Sequence, residues 1–123
     1  MREIKFRAWD GHMMQPVDII DFYDKTVTTA WHDGSRVLDF DEIVLMQYTG
    51  FKDKNGKEIY EGDIIGFTVP SGGNCIERVF YSELGARFMH TYLDRPAKSF
   101  WENLDFECKI LGNIHENPEL LNE

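Results

Sequence analysis

The sequence is poor in the residues that usually announce a chemistry. Only two cysteines, Cys75 and Cys108, occur in 123 residues, and neither belongs to a CxxC pair. A disulfide-stapled scaffold and a cysteine zinc site are thereby excluded. Neither cysteine has the nearby histidine and cation that mark a reactive thiolate, and both are expected to be reduced thiols. Whether they meet depends on the fold; Cys108, in the alternating run Phe106-Glu107-Cys108-Lys109-Ile110, reads as a small core residue. The four histidines, His12, His32, His90 and His115, are too scattered for a helical or hairpin metal pair and read as structural or surface residues. Gly72-Gly73 lacks the Lys-Ser/Thr and following helix of a phosphate loop, and Ser71 has no visible base. No catalytic residue, metal site or cofactor is therefore expected, and the chain reads as a non-enzyme.

Long apolar runs are missing too: nothing approaches the roughly 20 residues that cross a bilayer. The opening Met1-Arg2-Glu3-Ile4-Lys5 is charged, with no apolar signal core behind it, so the expected location is the cytoplasm. Basic residues are outnumbered, 13 Lys and Arg against 22 Asp and Glu, for a net charge of −9. Long-range repulsion from phosphates disfavours a free-standing nucleic-acid binder and favours a basic protein surface as partner.

What the chain does have is a 42% hydrophobic share with three Trp, five Tyr and nine Phe, enough for a packed core. Its length suits one domain, 1–123, with no Pro- or Ser-rich linker and no internal repeat. The most informative stretch is Met46–Ile65, MQYTGFKDKNGKEIYEGDII. Asn55-Gly56 predicts the tip of a type I′ hairpin between two strands. Gly50 predicts a turn before Phe51, and Glu61-Gly62-Asp63 an entry into the strand Ile64–Val69.

Around this stretch the pattern is one of short strands. Ile4, Phe6 and Ala8 alternate with Lys5, Arg7 and Trp9 before the turn at Asp10-Gly11. Met13-Met14 and Val17–Tyr23 predict a second strand with Pro16 at its edge, and Thr26–Trp31 a third. An acidic connection, Asp39–Glu42, leads to Ile43–Thr49. Later strands are expected at Ile76–Tyr81, Ala86–Tyr92 and Phe106–Leu111, with Arg95–Ser99 as loop and Phe100–Leu104 ambiguous. Asn117-Pro118-Glu119 is a start signal for a short helix. Short strands with no long 3.6-residue period define an all-β, mainly β, fold. The portion Tyr60–Ile114 has the strand number and length of an SH3-like barrel, with additional N-terminal strands from Met1–Thr49 packed on it.

The run QYTG-F-KDKNGKEIYEGDII resembles the signature of the YopX family of phage and prophage proteins. Met1–Asp10 and Leu111–Leu121 resemble that family in the right order as well, so the likeness brackets nearly the whole chain. It implies a mostly β fold with an SH3-like barrel and a phage context, and it transfers no catalytic residue.

Three functional readings follow. The first is a non-enzymatic phage accessory protein, a β-barrel module that binds a protein, including other copies of itself. The second is a single-stranded nucleic-acid module in which Lys52, Lys54 and Lys57, joined by Arg2, Lys5 and Arg7, contact phosphates while Tyr48, Phe51 and Tyr60 stack on bases. The bland account of the same residues is that the lysines keep a hairpin soluble and the aromatics belong to the core. The third and weakest is a metal-dependent hydrolase drawing on Asp39, Asp41 and their acidic neighbours, which otherwise form a solvated face.

Overall fold

In the computed structural model of the chain, the described residues are 3–31, 34–68, 73–83, 87–91, 98–99 and 108–121. They form two antiparallel sheets, and the chain divides into two compact units, Met1–Tyr48 and Thr49–Glu123. The mainly β class is as expected. The boundary falls inside one strand, within the stretch the sequence marks out.

The first unit is built from β1 (Phe6–Trp9), β2 (Met14–Asp21), β3 (Thr26–Thr29), β4 (Val37–Asp39) and the first half of β5 (Val44–Lys52). Their order is β4-β3-β2-β1-β5, with β4 at the edge. Ala8 and Val27 are fully buried, with Met46 and Tyr48 nearly so. The β1–β2 turn is made by Asp10. Its Oδ1 accepts the N–H groups of His12 and Met13, both at 2.8 Å, while its Oδ2 accepts from the Gln15 side chain. Gln15 is itself fully buried, and its Oε1 accepts Trp31 Nε1–H at 2.9 Å. A buried amide is tolerated because both ends are satisfied.

Pro16 departs from the expected edge position. It lies inside β2, opposite Arg7 of β1. In this register Asp10 and Met13 form a hydrogen-bonded pair, so Arg7–Pro16 is a non-hydrogen-bonded one. The proline nitrogen points away from β1 and costs that ladder no bond, while its carbonyl, on the same outer side, accepts Ala30 N–H at 3.0 Å. The acidic connection forms a single 3-10 turn at Phe40–Glu42, with Asp39 N–H donating to Glu42 Oε1 at 3.4 Å.

The second unit contains the rest of β5, β6 (Glu58–Tyr60), β7 (Asp63–Thr68), β8 (Asn74–Ser82), β9 (Arg87–Thr91), β10 (Lys98–Ser99) and β11 (Cys108–Asn113). Five of these form a sheet in the order β10-β9-β8-β7-β11, which is compatible with an SH3-like barrel. Ile59, Ile65 and Val79 make its core, with Phe51, Phe88, Cys108 and Ile110 packed against them. Ile64 and Ile65 point to opposite faces of β7, and both are buried.

Gly50 does not turn the chain. Its φ of 91° is accommodated within the continuous strand β5, and Thr49 Oγ1 accepts Phe51 N–H at 3.1 Å beside it. Leu111 is an extra residue in β11: Ile110 pairs with Ile65 and Gly112 with Ile64. Gly66 makes room for it, since a Cβ there would stand 2.9 Å from Leu111 Cδ1. The C-terminal helix is one 3-10 turn, Pro118–Leu121, lying against β8. The strand ends expected at Ala86, Tyr92 and Phe106, and the ambiguous Phe100–Leu104, lie outside the described residues.

Candidate functional site

The hairpin Lys52–Lys57 carries three of the predicted binding residues, Lys52, Lys54 and Lys57. It is not a type I′ turn. Gly56 has φ 81°, whereas Asn55 is not among the residues with positive φ. Gly56 N–H donates to Asp53 O at 2.9 Å and Asp53 N–H to Lys57 O at 2.8 Å. Those two bonds define a three-residue loop, a type I turn followed by a left-handed glycine. Asp53 explains the choice. Its Oδ1 accepts Asn55 N–H and Lys57 N–H at 2.9 Å each, which holds Asn55 in the right-handed turn.

Asp53 also reaches across the fold. Its Oδ2 accepts Ile110 N–H of β11 at 3.1 Å, 57 residues away in sequence, and Lys54 N–H donates to Cys108 O at 2.9 Å. The carboxylate is buried, and burial opposes its ionisation. The N–H groups of Ile110, Lys57 and Asn55, helped by the charge of Lys57, outweigh that cost and hold the carboxyl below its ordinary value. The adjoining Cys108 thiol is pushed up by burial and by the Asp53 charge, the opposite of an activated nucleophile.

The other signature residues do similar work. Gly62, with φ 85°, donates its N–H to Val79 O and accepts Ile114 N–H, both at 2.8 Å. Asp63 Oδ2 accepts Tyr60 N–H at 2.8 Å across the same turn. Asn113 Oδ1 accepts the N–H groups of His115 and Glu116 at 3.0 and 2.9 Å. Asn117 turns back to accept Asn113 N–H at 3.2 Å. These polar side chains are occupied by the backbone they organise.

The predicted binding residues separate on this frame. Lys52, Lys54 and Lys57 are all exposed on the hairpin of the second unit. Phe51 is half-buried against the core, Tyr60 is half-buried, and Tyr48 is buried in the first unit. A tyrosine 6% exposed offers a base almost none of its ring. Lys5 is ion-paired with Glu3 at 3.0 Å, Arg7 is half-buried, and Arg2 lies outside the described residues.

The cysteines lie on two strands of one sheet that flank a third. Cys75 of β8 and Cys108 of β11 each pair with Phe67 of β7, one from either side. Two strand spacings put their Cα atoms about 9–10 Å apart, too far for a disulfide. Among the described residues, no three His, Cys, Asp or Glu side chains come together in a way that would hold a metal ion.

An exposed surface that no sequence motif marks lies in the first unit. Ile19, Thr28 and Val37 are cross-strand partners on β2, β3 and β4. Val27 on the alternate face is fully buried, so the Ile19–Thr28–Val37 row belongs to the outer face. Ile19 is 55% and Val37 67% exposed, and at the end of β2 Phe22 and Tyr23 are 74% and 95% exposed. Phe22 packs edge-on against Phe40, with ring centroids 6.2 Å apart. The next row on the same face is Asp21–Thr26–Asp39. Asp18, Asp24, Asp41 and Glu42 are exposed nearby in sequence. The legible signal was Asp18–Tyr23, whose apolar residues fall on both strand parities beside a third strand too short to bury both.

The family model described as YopX protein matches residues 5–122. The chain belongs to the YopX family. Its fold is similar to the crystal structure of protein EF1440 from Enterococcus faecalis, at 29% identity, covering 99% of this chain and 100% of that one, with a TM-score of 0.65. It is also similar to protein yopX from Bacillus subtilis, at 23% identity, covering 96% and 98% of the two chains, with a TM-score of 0.69. No curated protein matches it. The YopX signature residues Asp10, Asp53, Gly56, Gly62, Asp63 and Asn113 are thus turn-forming and strand-tying residues in this chain.

Proposed function

We propose that this YopX-family chain is a non-enzymatic protein-interaction module, an accessory protein of a phage or prophage acting in the cytoplasm of a bacterial host. The observation that carries the reading is the exposed apolar row Ile19–Thr28–Val37 with Phe22 and Tyr23, bordered by carboxylates. Exposed apolar side chains bordered by charge are what a protein partner covers. The net charge of −9 makes that partner basic, and the same face is open to a second copy. The signature carboxylates and amides are engaged by backbone groups, which leaves them no part in acid–base work.

The test is affinity capture from nuclease-treated host extract, comparing the parent with the double variant Ile19→Lys/Val37→Lys. A protein retained by the parent and lost by the variant is the expected result. Equal retention by both would remove the surface from consideration.

The nucleic-acid reading keeps one favourable observation, the three exposed lysines on the hairpin. It is checked by titrating a labelled single-stranded oligonucleotide. No saturable binding is expected at about 150 mM salt, where non-specific binders show dissociation constants of roughly 10⁻⁴–10⁻⁶ M. Tight, salt-sensitive binding that Lys52→Glu/Lys54→Glu/Lys57→Glu abolishes would put this reading first.

A further inference from the structure

The outer face of the first unit ends at a strand edge, and the edge has a readable pattern. β4 is the last strand of its order, so among the described residues one side of its backbone has no neighbouring strand. Thr29 N–H donates to Arg36 O at 2.8 Å and Phe40 N–H to Lys25 O at 2.9 Å. In an antiparallel ladder, hydrogen-bonded pairs alternate, so Leu38 faces Val27 with its backbone groups while Val37 and Asp39 turn theirs outward. The Asp39 N–H accordingly goes to the Glu42 side chain, at 3.4 Å, rather than to β3.

Val37 and Asp39 also share a side-chain face. A strand laid along β4 therefore meets two rows in succession: the apolar row Ile19–Thr28–Val37, then the acidic row Asp21–Thr26–Asp39. Resting on the protein-interaction reading above, we infer that β4 receives an extended segment of a partner protein by strand addition. Every described pairing of the first unit is antiparallel, and an antiparallel newcomer crosses Asp39 before Val37. Its sequence must then present, on one face and in N-to-C order, a basic residue followed two positions later by an apolar β-branched one: Lys/Arg-x-Ile/Val. Main-chain bonds to Val37 supply attachment, and the two rows supply selectivity. The charge complementarity is local. Asp39 lies on β4, Asp41 and Glu42 follow it directly and Asp24 sits in the β2–β3 turn, all exposed, against only Lys25 and Arg36 as Lys or Arg between Val17 and Val44.

The experiment uses the full chain and fluorescence anisotropy with a short labelled peptide centred on Lys-Thr-Ile in an otherwise Thr/Ser sequence. Its comparators are the same peptide with Ile replaced by Ser, the reversed order Ile-Thr-Lys, and the Lys-Thr-Ile peptide N-methylated at alternate residues on either strand edge. Saturable binding by the parent is expected. Ile19→Lys/Val37→Lys, the Ser peptide and one of the two methylation patterns should each weaken it by roughly tenfold or more, about 1.4 kcal/mol, with the other methylation pattern tolerated. Equal binding of the Ser peptide would mean charge attraction alone and would overturn the inference. Equal binding of both methylated forms would overturn strand addition while leaving an apolar docking face. Preference for the reversed order would overturn the antiparallel assignment. Light scattering on the same samples separates the remaining cases. No peptide binding, with self-association that Ile19→Lys/Val37→Lys abolishes, would assign the edge to a second copy. No peptide binding and no effect of the variant on assembly or capture would overturn both this inference and the interaction reading.

Discussion

Replacing Asp53 with alanine tests the tie on which the second unit depends. Three N–H groups lose their acceptor. Those of Asn55 and Lys57 sit on an exposed loop and can turn to water, so each lost bond costs about 0.5–1 kcal/mol. Ile110 N–H belongs to a strand against the core, and stranding it costs roughly 1–3 kcal/mol. A total near 3 kcal/mol is expected, a large fraction of a small domain's stability. Asp53→Asn keeps one acceptor but turns an amide N–H₂ toward Ile110 N–H, so its cost is expected at about 1–3 kcal/mol. The pH dependence gives a second arm. The folded carboxyl sits below its ordinary value of 3.8, so its stabilising effect is present above the unfolded pKa and is lost as pH falls through the folded one. Urea titrations at neutral pH and at acid pH should show the gap between parent and Asp53→Asn narrowing on acidification. A gap that is absent at neutral pH, or that stays constant into acid, would refute the role assigned to the charge.

Other substitutions separate backbone strain from packing. Gly56→Val meets no atom within 4 Å of its Cβ, so its cost is conformational alone, about 1–3 kcal/mol, and Gly56→Asn should recover much of it; equal urea midpoints for parent and Val variant would contradict the turn. Ile65→Ala, in the core of the second unit, should cost about 2–5 kcal/mol, and a thermal melt within a degree of the parent would place it elsewhere. Gly112→Ala drives a Cβ into the Asn117 carboxamide that receives Asn113 N–H and should cost about 1–3 kcal/mol. Gly66→Ala meets only the end of the exposed Leu111 side chain and should cost less than about 1 kcal/mol, so a reversed ranking of the two glycines in urea would refute the packing described.

Local chemistry determined much of this protein directly from its sequence. Alternation at Ile4–Trp9 marked a strand because a pleated chain shows its faces at a period of two, and the short apolar run after Gly62-Asp63 marked another, buried on both faces. Gly11, Gly56 and Gly62 marked turns because positive φ is inexpensive only without a Cβ. The central signature was legible as a folding device for the same reason, and its match to the YopX family followed from those residues.

Other features were decided by partners distant in the chain. The hairpin at Asn55-Gly56 became a three-residue loop because the Asp53 carboxylate collects N–H groups from both the loop and β11. Gly50 stayed within a strand because β5 runs on past it to pair with β6. Pro16 entered β2 because it falls at a non-hydrogen-bonded position opposite Arg7, where its nitrogen owes β1 no bond. The separation of Cys75 from Cys108 was set by Phe67 lying between them, a relation of register that no spacing in sequence contains. The same holds for the candidate interaction face. Ile19, Val37 and Asp39 become neighbours only through the pairing of β2, β3 and β4. Hydrophobic pattern says that a side chain can be buried; only tertiary structure determines whether anything is there to bury it.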